Sequence, residues 1–158
     1  MAHKAIDIAK WFINQSIDDI EKNGDKNGGD EYMTNLKLQK LLYYSQGCHL
    51  ALENKPLFDC NIEAWKHGPV VQEVYEYYKH KGKCGIVDRE NDLPNFETNE
   101  IALLNLIIKT FGKFSAWQLR EMTHTESPWL DTYEEQVMNK VIPIEKIKKY
   151  FKDNVVKS

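Results

Sequence analysis

Leu36-Lys37-Leu38-Gln39-Lys40-Leu41-Leu42-Tyr43-Tyr44-Ser45-Gln46-Gly47 opens the stretch that decides the fold. Its leucines recur at helical spacing, so the segment reads as a helix. Thr34, just before it, is placed to cap it, because a threonine hydroxyl accepts from an early N–H that has no helical partner. Leu38, Leu41, Leu42, Ser45 and Leu52 fall on one stripe, which is expected to face a core. Lys37, Lys40 and Tyr44 share another face, since side chains three and four apart are neighbours. That face is expected to be amphipathic and accessible: a donor-rich contact surface, or a plain solvated flank with a lysine stem lying over a ring.

The stretch continues through a Pro56-Leu57-Phe58 link to Ile62-Glu63-Ala64-Trp65-Lys66-His67-Gly68-Pro69-Val70-Val71. A second helix follows around Val74-Tyr75-Glu76-Tyr77-Tyr78. Gly68-Pro69 would break a helix, and Ile62 to Trp65 alternates apolar and polar residues, so a short strand is predicted there. Gly68 supplies the backbone angle of the corner, and Pro69 is expected in the first turn of the next helix, where its missing N–H costs nothing.

A Leu-x-Lys-Leu-Leu-Tyr-Tyr helix, a Pro-Leu-Phe link and an Ala-Trp-Lys-His-Gly-Pro-Val segment with Val-Tyr after it resembles the Panacea domain. This is the SocA-like antitoxin domain, also met in phage-associated proteins of the GepA type. The resemblance is strong over Leu36 to Tyr78 and continues weakly through Ser115 to Trp129. It implies a compact, mainly helical domain that neutralises a toxin encoded beside it by direct binding, with an adaptor role as a variant of that reading. The toxins paired with such domains are varied, so the resemblance does not name the partner.

Composition bounds the reading. A chain of 158 residues suggests one domain, residues 1–158, with a core large enough to fold alone. A net charge of −3 argues against a whole-molecule electrostatic nucleic-acid binder. No apolar run is long enough to span a membrane. The start, Met1-Ala2-His3-Lys4-Ala5-Ile6-Asp7, lacks the apolar centre of a signal peptide. The three cysteines have no paired spacing, so a cytoplasmic home is expected.

The rest of the chain predicts a mainly α fold of about six to seven helices with one minor β element. Ile6, Ala9, Ile13, Ile17 and Ile20 mark an amphipathic first helix, widened by Trp11 and Phe12, that stops at Asn23-Gly24. Flexible loops are expected near residues 23–31 and 85–97, the second with a short strand at Ile86-Val87. Thr98 is expected to cap a core helix carrying Ile101, Leu104, Ile108 and Phe111 and ending at Gly112. Ser115-Ala116-Trp117-Gln118 is a capping-box pattern, with Leu119 and Met122 inward. Ser127-Pro128 opens another short helix, with Ser127 at the cap. Pro143 starts the last, with Ile144, Ile147, Phe151 and Val155 as its stripe and Glu145–Lys149 as a favourable pair.

Candidate chemistry is sparse. Gln46-Gly47-Cys48-His49 suggests a thiol site, but neighbours on a helix point about 100° apart, so His49 is poorly placed as a base and Cys48 reads as a small packed side chain. Cys48, His49, Cys60, His67 and Cys84 supply atoms for zinc but no recognised spacing. Phosphate-loop and dinucleotide glycine patterns are absent, and no metal or cofactor is expected. Ser115 to Tyr133 can be taken as helix–turn–helix, yet Asp131, Glu134 and Glu135 would meet phosphates, so direct sequence-specific DNA reading is not expected. Trp117, Trp129 and Tyr133 are expected as core and groove lining. The reading that remains is a rigid partner-docking ledge of Trp65, His67, Gly68 and Pro69, with Lys40 and Tyr44 nearby; the plain alternative is a corner that only packs two helices. A toxin-binding antitoxin is the first function expected. A hydrolase or other enzyme using Cys48 or His67, and a phage-associated transcriptional regulator, are the alternatives.

Overall fold

Thr34 caps the central helix as expected: its Oγ1 accepts from Lys37 N at 3.2 Å. The structure, a computed structural model, describes residues 2–23 and 32–156. The loop expected near 23–31 thus lies almost wholly outside the described residues. In chain order come α1 (Ala5–Asn23), α2 (Asn35–Glu53), β1 (Glu63–Trp65), β2 (Gly68–Val70) and α3 (Gln72–Tyr78), which runs into a 3-10 turn at Lys79–Lys81. Then follow α4 (Thr98–Phe111), α5 (Ala116–Thr123), α6 (Ser127–Leu130), β3 (Lys140–Val141) and α7 (Ile144–Asn154). The fold is mainly α with a minor β element, as the sequence predicts.

Helix α2 is the axis. Helices α1, α3, α4, α5 and α7 all pack on it, and every residue from Leu38 to Leu50 is buried. A helix buried all round is unusual for a sequence carrying Lys, Gln and His. It is tolerated because each polar tip finds a partner. Gln39 Oε1 accepts from Val71 N at 2.8 Å, Gln46 Oε1 accepts from Leu57 N at 2.8 Å, and Gln46 Nε2 donates to Phe58 O at 2.9 Å. His49 Nδ1 lies 2.7 Å from Lys55 O. The polar residues of α2 therefore hold the backbone of the segments wrapped around it, groups that would otherwise be buried without partners. The helix ends at Asn54, whose left-handed φ of 62° turns the chain out.

Several expectations are corrected. Leu52, placed on the core stripe, is 55% exposed, since α2 has reached the surface there. Thr98 is the first residue of α4, and the cap is Glu97, which forms a reciprocal capping box with Glu100. Glu126, not Ser127, stands at the cap of α6, with Pro128 inside the first turn. Ile101 and Ile144 are exposed rather than core. Lys149 pairs with Asp153 at 2.9 Å, not with Glu145. Ile86-Val87 forms no strand; Ile86 is buried and its N–H reaches Met33 O at 2.8 Å.

The strand expected at Ile62 to Trp65 is β1, and it belongs to a three-stranded antiparallel sheet ordered β2-β1-β3. Its register sets Glu63 against Val70, Ala64 against Pro69 and Trp65 against Gly68, leaving Lys66 and His67 as the two-residue tip of a hairpin. Pro69 is thus in a strand, not in a helical first turn. It sits in an edge strand, the place in a sheet where a residue without an N–H is tolerated.

Candidate functional site

The hairpin tip is braced residue by residue. Trp65 O accepts from Trp129 Nε1 at 2.6 Å. Lys66 O lies 2.9 Å from His124 Nε2. His67 Nδ1 accepts from Arg120 Nε at 3.0 Å, Pro69 O accepts from Lys40 Nζ at 3.1 Å, and Val71 N donates to Gln39. The bracing side chains come from α2, from α5, and from the turn and helix that follow α5. Gly68 has φ +113°, and a Cβ on it would stand 2.7 Å from Lys40 Cε and 2.9 Å from Thr123 Oγ1. Only glycine fits both the angle and the space.

Of the six residues expected to form a ledge, the structure brings Lys40, His67, Gly68 and Pro69 together and divides them by depth. His67 is exposed and Trp65 half-buried, its indole N–H donating to Glu63 at 2.8 Å. Gly68 and Pro69 are buried, and the expected accessible face of α2 is corrected: Lys40 is 0% and Tyr44 1% exposed. Those two do not face solvent. Lys40 braces the hairpin from below. Burial, reinforced by the Arg120 guanidinium, pulls its amine down to about 7.

Tyr44 belongs to a second cluster under α6. Tyr43 and Tyr44 donate to the two carboxylate oxygens of Glu126 at 2.9 and 2.7 Å. Burial pushes the Glu126 carboxyl up to about 7, against the downward pull of these two hydrogen bonds. Both tyrosines are held well above their ordinary range, first by burial and then by that carboxylate. Tyr44→Phe removes one donor from a buried, partly ionised group. The expected cost is about 1.5–3 kcal/mol at neutral pH by urea denaturation; a loss below about half a kcal/mol would mean that the bond contributes nothing net.

Sequence reasoning missed how the exposed side of the tip is built. Trp117, expected as core or groove lining, is 57% exposed. The Arg120 guanidinium carbon lies 4.3 Å from its ring centre, a cation–π stack, and the His67 ring is 6.4 Å away. Arg120 also pairs with Glu121 at 2.8 Å. The signal was present: Trp117 and Arg120 are spaced i, i+3 on one face of α5, and His124 follows at i+7 in the turn that ends it. Glu126 and Trp129 gave no comparable pattern.

The other candidates separate. Cys48 is buried, and burial pushes its thiol up to about 12, the wrong direction for a nucleophile. Cys60 is half-buried and Cys84 exposed, and among the described residues no three His, Cys, Asp or Glu side chains converge as metal ligands. No described helix is long and apolar enough to cross a membrane. A cleft of about 610 Å³ lies away from the hairpin, between α1, α2 and the α4–α5 corner, lined by Ser16, Met33, Gly112 and Ser115 among others.

A mainly helical protein that displays a short hairpin braced from several helices is the class these features define. The chain belongs to the Antitoxin SocA-like, Panacea domain family, whose model matches residues 38–130. It is similar to Antitoxin SocA of Caulobacter vibrioides (strain NA1000 / CB15N), at 32% identity over 61% of this chain and 58% of that relative. The chain therefore spans little more than half the length of the curated relative it matches. No solved structure matches it.

Proposed function

We propose that the chain is an antitoxin that neutralises a toxin encoded beside it by binding it directly in the cytoplasm, and that the toxin docks on the hairpin tip and the adjoining face of α5. Family membership supports the antitoxin role. The observation that carries the docking site is Trp117, a large aromatic 57% exposed, beside a tip fixed by side chains from several helices. Tryptophan and arginine dominate the energetics of protein interfaces, and a preordered surface loses little entropy on binding. Within this reading His67 and the exposed part of Trp65 meet the partner, Lys40, Gly68 and Pro69 hold the tip from beneath, and Tyr44 acts at one remove, through Glu126 at the start of α6. A binding role is favoured over the hydrolase alternative because the Cys48 thiol is buried and held protonated. Direct DNA reading is disfavoured by Asp131, Glu134 and Glu135, all exposed beside α6.

The test is coexpression of the chain with the product of the neighbouring gene, followed by titration of the purified pair. Wild type should rescue growth and bind. Trp117→Ala should weaken binding by more than about thirtyfold, the loss expected for an interface anchor, while its stability stays within about half a kcal/mol of wild type. Full rescue and unchanged affinity in Trp117→Ala would remove the tip from the interface.

A further inference from the structure

We propose that the hairpin tip recognises an acidic segment of its protein partner, with a carboxylate taken by His67, Lys66 and Arg120 and a neighbouring apolar side chain laid on Trp117. This rests on the reading that the tip docks the partner, and adds the chemistry of what docks. The hydrogen bond from Arg120 Nε to His67 Nδ1, at 3.0 Å, decides the tautomer. A nitrogen that accepts carries no proton, so in neutral His67 the proton is on Nε2, on the opposite edge of an exposed ring. The tip thus carries an N–H donor of fixed tautomer on an exposed residue. The surrounding charge has one dominant sign. Burial and then the charges of Arg120, Lys66, Lys40 and His124 all lower the His67 pKa. Of the nearby acids, Glu121 is paired with Arg120 and Glu63 accepts from Trp65.

The donors are of mixed kinds, an imidazole N–H, the exposed Lys66 and a guanidinium. Arg120 spends Nε on His67 and Nη1 on Glu121, and among the described residues Nη2 has no partner. An arriving carboxylate would take Nη2 or replace Glu121, whose side chain is 59% exposed. The Trp117 ring lies against the Arg120 guanidinium and near the His67 ring, so the match is a carboxylate next to an apolar residue. A nucleic acid is the poorer match: the exposed Lys66 and an Arg120 whose side chain is 16% exposed, on a chain of net charge −3, cannot track a row of phosphates.

The test uses the whole chain, labelled with nitrogen-15, and three probes: acetyl-Leu-Asp-Glu-Leu amide, its neutral counterpart acetyl-Leu-Asn-Gln-Leu amide, and an eight-nucleotide oligothymidylate. The acidic peptide should shift the Trp117 indole and the backbone signals of residues 66–67 and 117–120. It should bind about fivefold tighter than the neutral peptide, the scale of one exposed charge contact, and weaken as salt is raised, because such contacts are screened. Lys66→Glu should erase the preference. Equal binding of the two peptides, no binding of the acidic one at millimolar concentration, shifts elsewhere, or tighter binding of the oligothymidylate would each overturn the proposal. Failure here is separable from failure of the docking reading. If Trp117→Ala abolishes toxin neutralisation while the peptides are not distinguished, the carboxylate assignment alone fails; if Trp117→Ala neutralises normally, the docking reading has failed first.

Discussion

Raising the pH from 7 to 8.5 should stabilise the protein by about 1 kcal/mol, and Lys40→Met should remove that gain. The Lys40 amine is fully buried, with one carbonyl partner, Pro69 O, and its pKa falls from 10.5 to about 7. Between these values the unfolded chain holds a proton that the folded chain has released. Stability therefore rises with pH across that window, by up to about 1.4 kcal/mol per unit. Below about 7 both states are protonated, and the folded protein carries the full cost of a buried ammonium with one acceptor for three N–H groups. The Glu126 carboxyl acts in the opposite sense. Its folded pKa is raised to about 7, so its contribution is fully present below the ordinary carboxylate value of 4.5 and is lost as pH rises through 7. Together the two groups place a local minimum of stability near neutrality. From about pH 9 upward the thiols and then the tyrosines of the unfolded chain ionise while Cys48, Tyr43 and Tyr44 stay protonated in the fold, which ends the rise.

Lys40→Met separates the terms. At pH 6 the variant should be more stable than wild type, because an apolar side chain of similar length replaces a buried charge. At pH 8.5 the order should reverse, because neutral Lys40 donates to Pro69 O and methionine leaves that carbonyl buried without its partner. Urea denaturation at the two pH values checks the crossing; parallel profiles would mean that Lys40 is hydrated or paired in a way its surroundings do not provide. The same variant should loosen the hairpin and weaken toxin binding even where it raises stability, if Lys40 serves the tip rather than the fold.

Lys40 also marks where reading the sequence stops working. Local signals were legible: the Thr34 cap, the Ser115–Gln118 capping box and the alternation at Ile62 to Trp65 each depend on residues within a few positions of one another. The burial of α2 was not. A polar residue on a helix is read as facing water, and that rule fails when its tip satisfies a distant backbone group, as Lys40 does across 29 positions and Gln39 across 32. Pro69 suits a helical first turn and an edge strand equally well on local grounds; only pairing with Ala64 decides. Strand β3 is two residues long and carries no period. Aromatic residues have no direction in sequence, so core, groove lining and the exposed position that Trp117 takes on α5 are not told apart by its spacing alone. His67 thus stands on an exposed tip as the sequence predicts, whereas Lys40 and Tyr44, expected on an accessible face, lie inside the fold.

Gly47→Ala should destabilise the wild type and stabilise a Phe151→Ala variant. Gly47 is in the buried middle of α2, where alanine would ordinarily be better by about 1 kcal/mol. A Cβ there would run into the ring of Phe151, which is 0% exposed. That ring cannot swing aside. Tyr43, Tyr44 and Tyr150 stand around it at centroid distances of 5.3, 5.9 and 5.7 Å. Glycine is therefore what lets α7 close on α2, over the same tyrosines that bind Glu126. In wild type the overpacking should outweigh the helical gain, for a net loss of about 1–3 kcal/mol. Phe151→Ala alone should cost about 3–5 kcal/mol, by lost burial and the cavity left behind. With the ring gone, the added methyl enters empty space and the helical preference is recovered, so Gly47→Ala in that background should gain about 1 kcal/mol. The change of sign is a coupling between two residues in direct contact. Urea denaturation of the four proteins measures it. Additive losses would show that Gly47 is required for something other than room for Phe151.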